Sequence, residues 1–125
     1  MNAHPESLLP NATADLAGFS SQITFGDIPQ EVIERMKTSL LDSLGCCLFG
    51  VTLPWTKKVQ AMVMADDAAP VASILGMNVK TSVPNAVLVN ATAGHAFELD
   101  DIHKESIVHA GSIAVPVVLA LAEKL

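Results

Sequence analysis

The sequence predicts a mainly α fold of about five helices with no substantial sheet. Three observations predict it. Apolar residues recur three and four apart along most of the chain. Proline, serine and aspartate stand where those runs begin, which is where helices start. Only one short stretch, in "VASIL", reads as extended, and a single strand cannot make a sheet. At 125 residues the chain fits one domain with one core.

The elements follow in order. Leu16, Phe19 and Ile23 mark a short first helix over residues 12 to 24, which "FGDIPQ" interrupts. Asp27 is placed to cap the next helix, and Pro29 suits a first turn, where its missing N–H costs nothing. Val32, Met36, Leu40, Leu44, Cys47 and Leu48 then share one helical face, and Gly50 supplies a stop. A third helix opens near Pro54 in "TLPWTKKVQAMVMA", and "DDAAPVASILGMNVKTS" breaks the pattern. Ser82 and Pro84 announce a fourth helix through "NAVLVNATAGHAFEL", whose small residues permit close packing and whose Gly94 weakens it by about 1 kcal/mol relative to alanine. Gly111-Ser112 begins the last helix, with Pro116 in or just past its first turn.

Composition narrows the function. The net charge is −6 and the seven basic residues are scattered, so neither nucleic acid nor an anionic membrane is an expected partner. The longest apolar run, residues 113 to 122, is about half a membrane span. "MNAHPESLLPNATADL" lacks the layout of a secretory signal, so the sequons Asn11-Ala-Thr13 and Asn90-Ala-Thr92 carry no weight. Cys46 and Cys47 are adjacent within a helical pattern and read as small buried hydrophobes of a reducing, cytoplasmic setting. Charged residues are only 16% of the chain, against about a quarter in typical domains. Part of the surface is therefore expected to be covered by another subunit or by further sequence.

The ionisable groups crowd into "HAFELDDIHKESIVHAG", residues 95 to 111, which holds three of the four histidines together with Glu98, Asp100, Asp101 and Glu105. Three readings are open. The cluster is a solvated connection between apolar helices. It is a metal site, although there is no H-E-x-x-H, no helix face with two histidines at i and i+4, and no nearby cysteine. Or it does acid–base chemistry, a carboxylate taking a proton and an imidazole returning one. On a continuing helix Asp100 and Asp101 point apart; if the helix ends near Leu99, the loop can turn several groups toward one cavity. His109 can approach the N-terminus of the last helix, which suits an anion. Acid–base work beside a carboxylate also needs cations. Lys104 is the only lysine in the cluster, so others come from elsewhere.

"NATAGHAFELDDIHKESIVHAGSIAVPVVLALAE" resembles the MmgE/PrpD family, whose members carry a pattern close to H-A-x-D-x-D-D-x-H followed by His-Pro-Gly or His-Pro-Ser. "DIPQEVIERMKTSLLDSLGCCLFG" is similar to that family's first long helix with its Leu-Asp-x-Leu-Gly-Cys stretch, and "ASILGMNVKTSVPNAVLVNATAGHA" to its next block. The resemblance implies an enzyme with a large helical domain and a smaller lid domain, usually a homodimer, acting on small polycarboxylates at the carbon next to a carboxylate. Dehydration, decarboxylation and epimerisation all occur in the family, with no redox cofactor and no obvious metal. It implies that residues 1–125 form a single, partial helical domain, the lid and the rest of the helical domain being absent, with no catalysis by this piece alone.

Carried over by position, Glu98, Asp100, Asp101 and His109 are the implied catalytic residues, with His95, His103 and Lys104 toward substrate. Ile102 stands where the decarboxylase branch has a threonine, and Ala110 where a proline is usual. The cluster also lacks the longer, tryptophan-containing form of true 2-methylcitrate dehydratases. The alternative is a truncated, non-catalytic helical module that associates with itself or with a full-length subunit.

Overall fold

The computed structural model describes residues 11–125. The described residues divide into two compact units, one up to Glu34 and the other 35–125. The first holds helix α1 (Ala12–Gln22), a 3-10 turn (Phe25–Asp27) and the opening of α2 (Gln30–Gly50). The expected cap role of Asp27 falls one element earlier. Its carboxylate accepts from the Thr24 N–H at 2.9 Å and the Thr24 hydroxyl at 2.7 Å, closing a capping box on the 3-10 turn. These two bonds hold the Asp27 carboxyl below its ordinary range. Pro29 stands immediately before α2, where its carbonyl accepts from Val32 and Ile33.

The second unit holds the rest of α2, α3 (Pro54–Met64), a hairpin of β1 (Ala72–Ser73) and β2 (Lys80–Thr81), α4 (Val83–Gly94) and α5 (Ala110–Lys124). "VASIL" does contain a strand. It finds its partner only seven residues on, with Ala72 opposite Thr81 and Ser73 opposite Lys80. Gly76, at φ 75°, takes the left-handed bend of the connection, a conformation that needs no Cβ.

Helix α4 is the central element. Ser82 caps it by accepting from the Asn85 N–H at 3.5 Å, and Pro84 sits in the first turn as its sequence suggested. Its buried residues Ala86, Val89, Asn90, Ala93 and Gly94 recur at helical spacing and meet a different neighbour at each level. Ala86 packs with Ala72 of β1 and Ala120 of α5. Val89 packs with Val63 of α3 and Ile74 after β1, and Ala93 with Cys47 and Val51 at the end of α2. Burying a valine or isoleucine in this way contributes about 2 kcal/mol.

Small residues set the closest approaches. A Cβ on Gly50 would run into the backbone of Ala93, so α2 ends directly against α4. Of the stripe legible on α2, Cys47 is buried, Leu40 and Leu44 are half-buried, and Val32, Met36 and Leu48 are exposed. Ser43, Cys46, Cys47 and Gly50 are the buried face, while Met36, Leu41, Leu48 and Phe49 are exposed. Among the described residues no single helix is long and apolar enough to cross a membrane.

The end of α5 is tied to the hairpin. Glu123 accepts from the Ser73 N–H at 3.1 Å, from the Ser73 hydroxyl at 2.7 Å and from the Lys80 ammonium at 2.8 Å. The lysine contact first, then the two serine bonds, lower its carboxyl to about 2. A carboxylate with a folded value below its ordinary 4.5 adds stability that is complete above about 4.5 and is lost as the pH falls toward about 2. Glu123→Gln is thus expected to be less stable than wild type at neutral pH, with the gap closing over that acid window in urea titrations. The effect is small, since the pair is exposed.

Candidate functional site

Helix α4 ends at Gly94, five residues earlier than its apolar pattern suggests, with His95 as its C-cap. The segment from Ala96 to His109 then leaves the helix and returns to the start of α5. Phe97 anchors it, its ring meeting Phe49 of α2 edge-on at 4.6 Å. Glu98 and Ile107 both have φ 53°, a left-handed setting that costs a residue with a Cβ about 1–2 kcal/mol. A single antiparallel bridge joins His103 to Val108.

This path brings three side chains together. Asp100 is buried, its side chain 1% exposed. His95 Nδ1 lies 3.1 Å from each of its carboxylate oxygens. His109 Nδ1 lies 3.4 Å from Oδ1. The two imidazole rings are 4.5 Å apart, tilted by 60°. An ionised carboxylate only accepts, so the His95 nitrogen facing it carries the proton and Nε2 keeps the free lone pair. That is the arrangement by which a buried carboxylate orients an imidazole as a base. The His109 Nδ1 is shielded from solvent and has no hydrogen-bond partner among the described residues.

Asp101 turns to the start of α5 instead; the helical projection does not apply to it, since the helix ends at Gly94. Its Oδ1 accepts from the Gly111 N–H at 2.8 Å, so the anion expected at the start of α5 is one of the chain's own. His109 is the residue preceding that helix, and the Ser112 hydroxyl donates to its carbonyl at 3.1 Å. Neighbouring aspartates thus have different work: Asp100 faces the imidazoles and Asp101 holds α5 to the loop.

The other expected site residues lie outside this group. Glu98 and Lys104 are exposed, with no side-chain hydrogen bond or ion pair among the described residues. His103 is exposed and engages its own loop, through Ser106 Oγ at 2.8 Å and Glu105 at 3.1 Å. Ser43 was not legible as a neighbour of the site. Its buried hydroxyl lies, with the Asp101 carboxylate, where a side chain on Gly111 would go, and it has no hydrogen-bond partner among the described residues. Nothing in the spacing links Ser43 to Gly111, because tertiary packing alone joins them.

A cavity of about 420 Å³ opens against the two histidines, walled also by Ala91, Ile107, Ser112 and Ile113. A larger depression of about 750 Å³ lies between α2 and the loop, lined by Leu41, Cys46, Phe49, Phe97 and Leu99. Both are largely apolar, but only the smaller one is lined by His95 and His109, so the chemistry belongs with it. Cys46 borders the larger one. Burial first, then the charges of Asp42, Asp100 and Asp101, raises its thiol above the ordinary range. Burial, then Cys46 and Asp100, pushes Cys47 up to about 11. Neither is a ready thiolate at neutral pH. Both are expected to react with a disulfide reagent far more slowly in the native protein than in urea; equal rates would show that the packing around them is wrong.

The spacing argued against a metal because no helix face carries two ligands. The fold instead draws His95, Asp100 and His109 from a helix end, a loop and a helix start into one group whose ligand atoms lie within 4.8 Å of one another. The fold and this cluster define a class: a helical domain that closes two imidazoles around a buried carboxylate.

The chain belongs to the MmgE/PrpD family, matching that family's N-terminal domain over residues 14–125. It is 33% identical over 113 residues to a cis-aconitate decarboxylase of Aspergillus terreus, covering 90% of this chain and 23% of that protein. It is 35% identical over 115 residues to the cis-aconitate decarboxylase-like protein oryM of Aspergillus oryzae, again over 90% of this chain and 23% of the relative. The chain therefore spans about a quarter of the length of these relatives.

Proposed function

We propose that this chain is the N-terminal part of an enzyme that does acid–base chemistry at the carbon next to a carboxylate of a small polycarboxylate. Decarboxylation of an unsaturated tricarboxylate such as cis-aconitate is the favoured reaction. The observation that carries it is Asp100, buried between His95 and His109 beside the cavity. The family relation and the cis-aconitate decarboxylases among its relatives support the same reading.

In such a reaction the bond to the departing CO₂ breaks and its electron pair moves into the conjugated double bond. A proton must then reach the far carbon. His109 in its protonated form supplies it, and Asp100 steadies the positive ring before transfer. Epimerisation would use the same pair in sequence, His95 Nε2 removing a proton and His109 returning one. Asp101 holds α5 in place for either. The cavity wall offers no Lys or Arg to the substrate's carboxylates, so the cations come from the remainder of the longer polypeptide or from a second subunit. The exposed Leu41, Leu48, Phe49 and Val118 give that partner an apolar surface to cover. The buried thiols suit a reducing, cytoplasmic setting.

The test is the longer polypeptide incubated with cis-aconitate in D₂O and followed by NMR. CO₂ release with one deuterium in the product is the expected result. Failure to convert cis-aconitate, citrate-type or aspartate-derived polycarboxylates would overturn the reading. The non-catalytic module would then stand, supported by the same exposed apolar residues.

A further inference from the structure

We propose that His95, Asp100 and His109 form a three-ligand site for a divalent transition-metal cation of the zinc class, with the fourth position open toward the cavity. Metal binding concerns the resting cluster and needs no substrate; its inhibitory consequence rests on the acid–base reading above.

The geometry points to it. Four ligand atoms at zinc's bonding distances of about 2.0–2.1 Å stand roughly 3.3 Å apart at the corners of a tetrahedron. The two measured edges of the cluster are 3.1 Å, from His95 Nδ1 to Asp100, and 3.4 Å, from His109 Nδ1 to Asp100 Oδ1. The third edge is within 4.8 Å. Ordinary side-chain rotation closes that difference. The ring centroids are 4.5 Å apart, so both imidazoles stand against the same carboxylate. His109 Nδ1 is a second sign: it is sheltered from water and, although 3.4 Å from Asp100 Oδ1, makes no hydrogen bond among the described residues.

The donor set selects the ion. Two imidazoles and one carboxylate suit zinc, cobalt or iron, and are too nitrogen-rich for magnesium or calcium. Coordination uses the lone pair on each Nδ1, so His95 moves its proton from Nδ1 to Nε2, and any protonated ring releases a proton to solvent. The net charge at the site changes from the carboxylate's single negative charge to a single positive one. Metal occupancy therefore removes the base lone pair on His95 Nε2 and the proton on His109 together. A bound ion and proton transfer exclude each other, so the metal acts on this site as an inhibitor.

Calorimetric titration of the reduced, native protein with Zn²⁺ measures stoichiometry, and Co²⁺ absorption reports the ligand set. One equivalent is expected, with a tetrahedral cobalt spectrum free of thiolate charge transfer. His109→Ala and His95→Gln should each weaken binding by about a hundredfold or more. His103→Ala and the Cys46→Ser/Cys47→Ser pair should leave it unchanged, and circular dichroism checks each variant's fold. Asp100→Asn is a further arm, read only where its spectrum matches wild type. Binding that survives His109→Ala and His95→Gln, a cobalt–thiolate band, or no saturable equivalent would overturn the assignment. Each of these readouts stands whether or not the longer polypeptide turns over any polycarboxylate.

Discussion

His109→Ala in the longer polypeptide is expected to lower kcat by a hundredfold or more on whatever polycarboxylate it converts, with an unchanged circular dichroism spectrum. The size follows from what is removed. A positioned acid or base contributes about 10²–10⁴ in rate, and among the described residues His109 and His95 are the two imidazoles beside the buried Asp100. His103→Ala is the matched control, since that ring is exposed and bonded within its own loop. It should leave kcat within about twofold of wild type, the scale expected of a surface change. Asp100→Asn combined with His109→Ala should cost little more than the worse single change, because groups that act as a unit are not additive. A normal rate in His109→Ala would remove this histidine from the chemistry and leave His95 as the only imidazole on Asp100.

The second large effect is structural. Gly50→Ala places a methyl group on the carbonyl of Ala93, so α2 and α4 must part. Overpacking of this kind costs about 1–3 kcal/mol, and here the obstacle is backbone, which cannot rotate aside. Urea unfolding should show the free energy of unfolding falling by that amount, with a lower midpoint. Gly45→Ala, one turn earlier in the same helix, is the opposite case. A Cβ there meets nothing within 4 Å, so the variant should gain about 0.5–1 kcal/mol from helix propensity alone. The pair of changes separates the demand for space from the demand for flexibility. Ala93 lies two residues before His95, so the Gly50 variant should also disturb the imidazole–carboxylate contact.

Much of the architecture was legible. The periodic runs, Pro54, Ser82-Pro84 and the Gly50 stop mark local events, and each stands within two or three residues of an observed helix boundary. What escaped was tertiary. The apolar stripe on α2 included the buried Cys47, yet the fully buried face is completed by the small residues Ser43, Cys46 and Gly50 rather than by the larger Met36 and Leu48. The fourth helix was read too long because "HAFEL" continues an apolar spacing. The chain leaves the helix at Gly94, where the segment turns to bring Asp100 beneath His95.

The site shows the same division. Its crowding of histidines and acids was plain, whereas the helical projection of Asp100 and Asp101 had no bearing once the helix ended at Gly94. Which members of the cluster face each other was not legible, since His95, Asp100 and His109 follow no repeat. Glu98, His103 and Lys104 differ from those three only in where the loop carries them.

Helix α4 is apolar on nearly every side, and hydrophobic packing by itself would accept it in several rotational settings. Asn90 removes that freedom. Buried within the helix, its side-chain carbonyl accepts from the Leu75 N–H at 2.9 Å and its amide donates to the Ser73 carbonyl at 3.0 Å. Rotating the helix by one residue would leave the Leu75 N–H, the Ser73 carbonyl and the amide unpaired in the core, a loss of several kcal/mol. The asparagine therefore works as an index pin. It contributes little to the depth of the native minimum and much to its uniqueness, and because His95 caps the same helix, it sets the bearing of the first imidazole from five residues away.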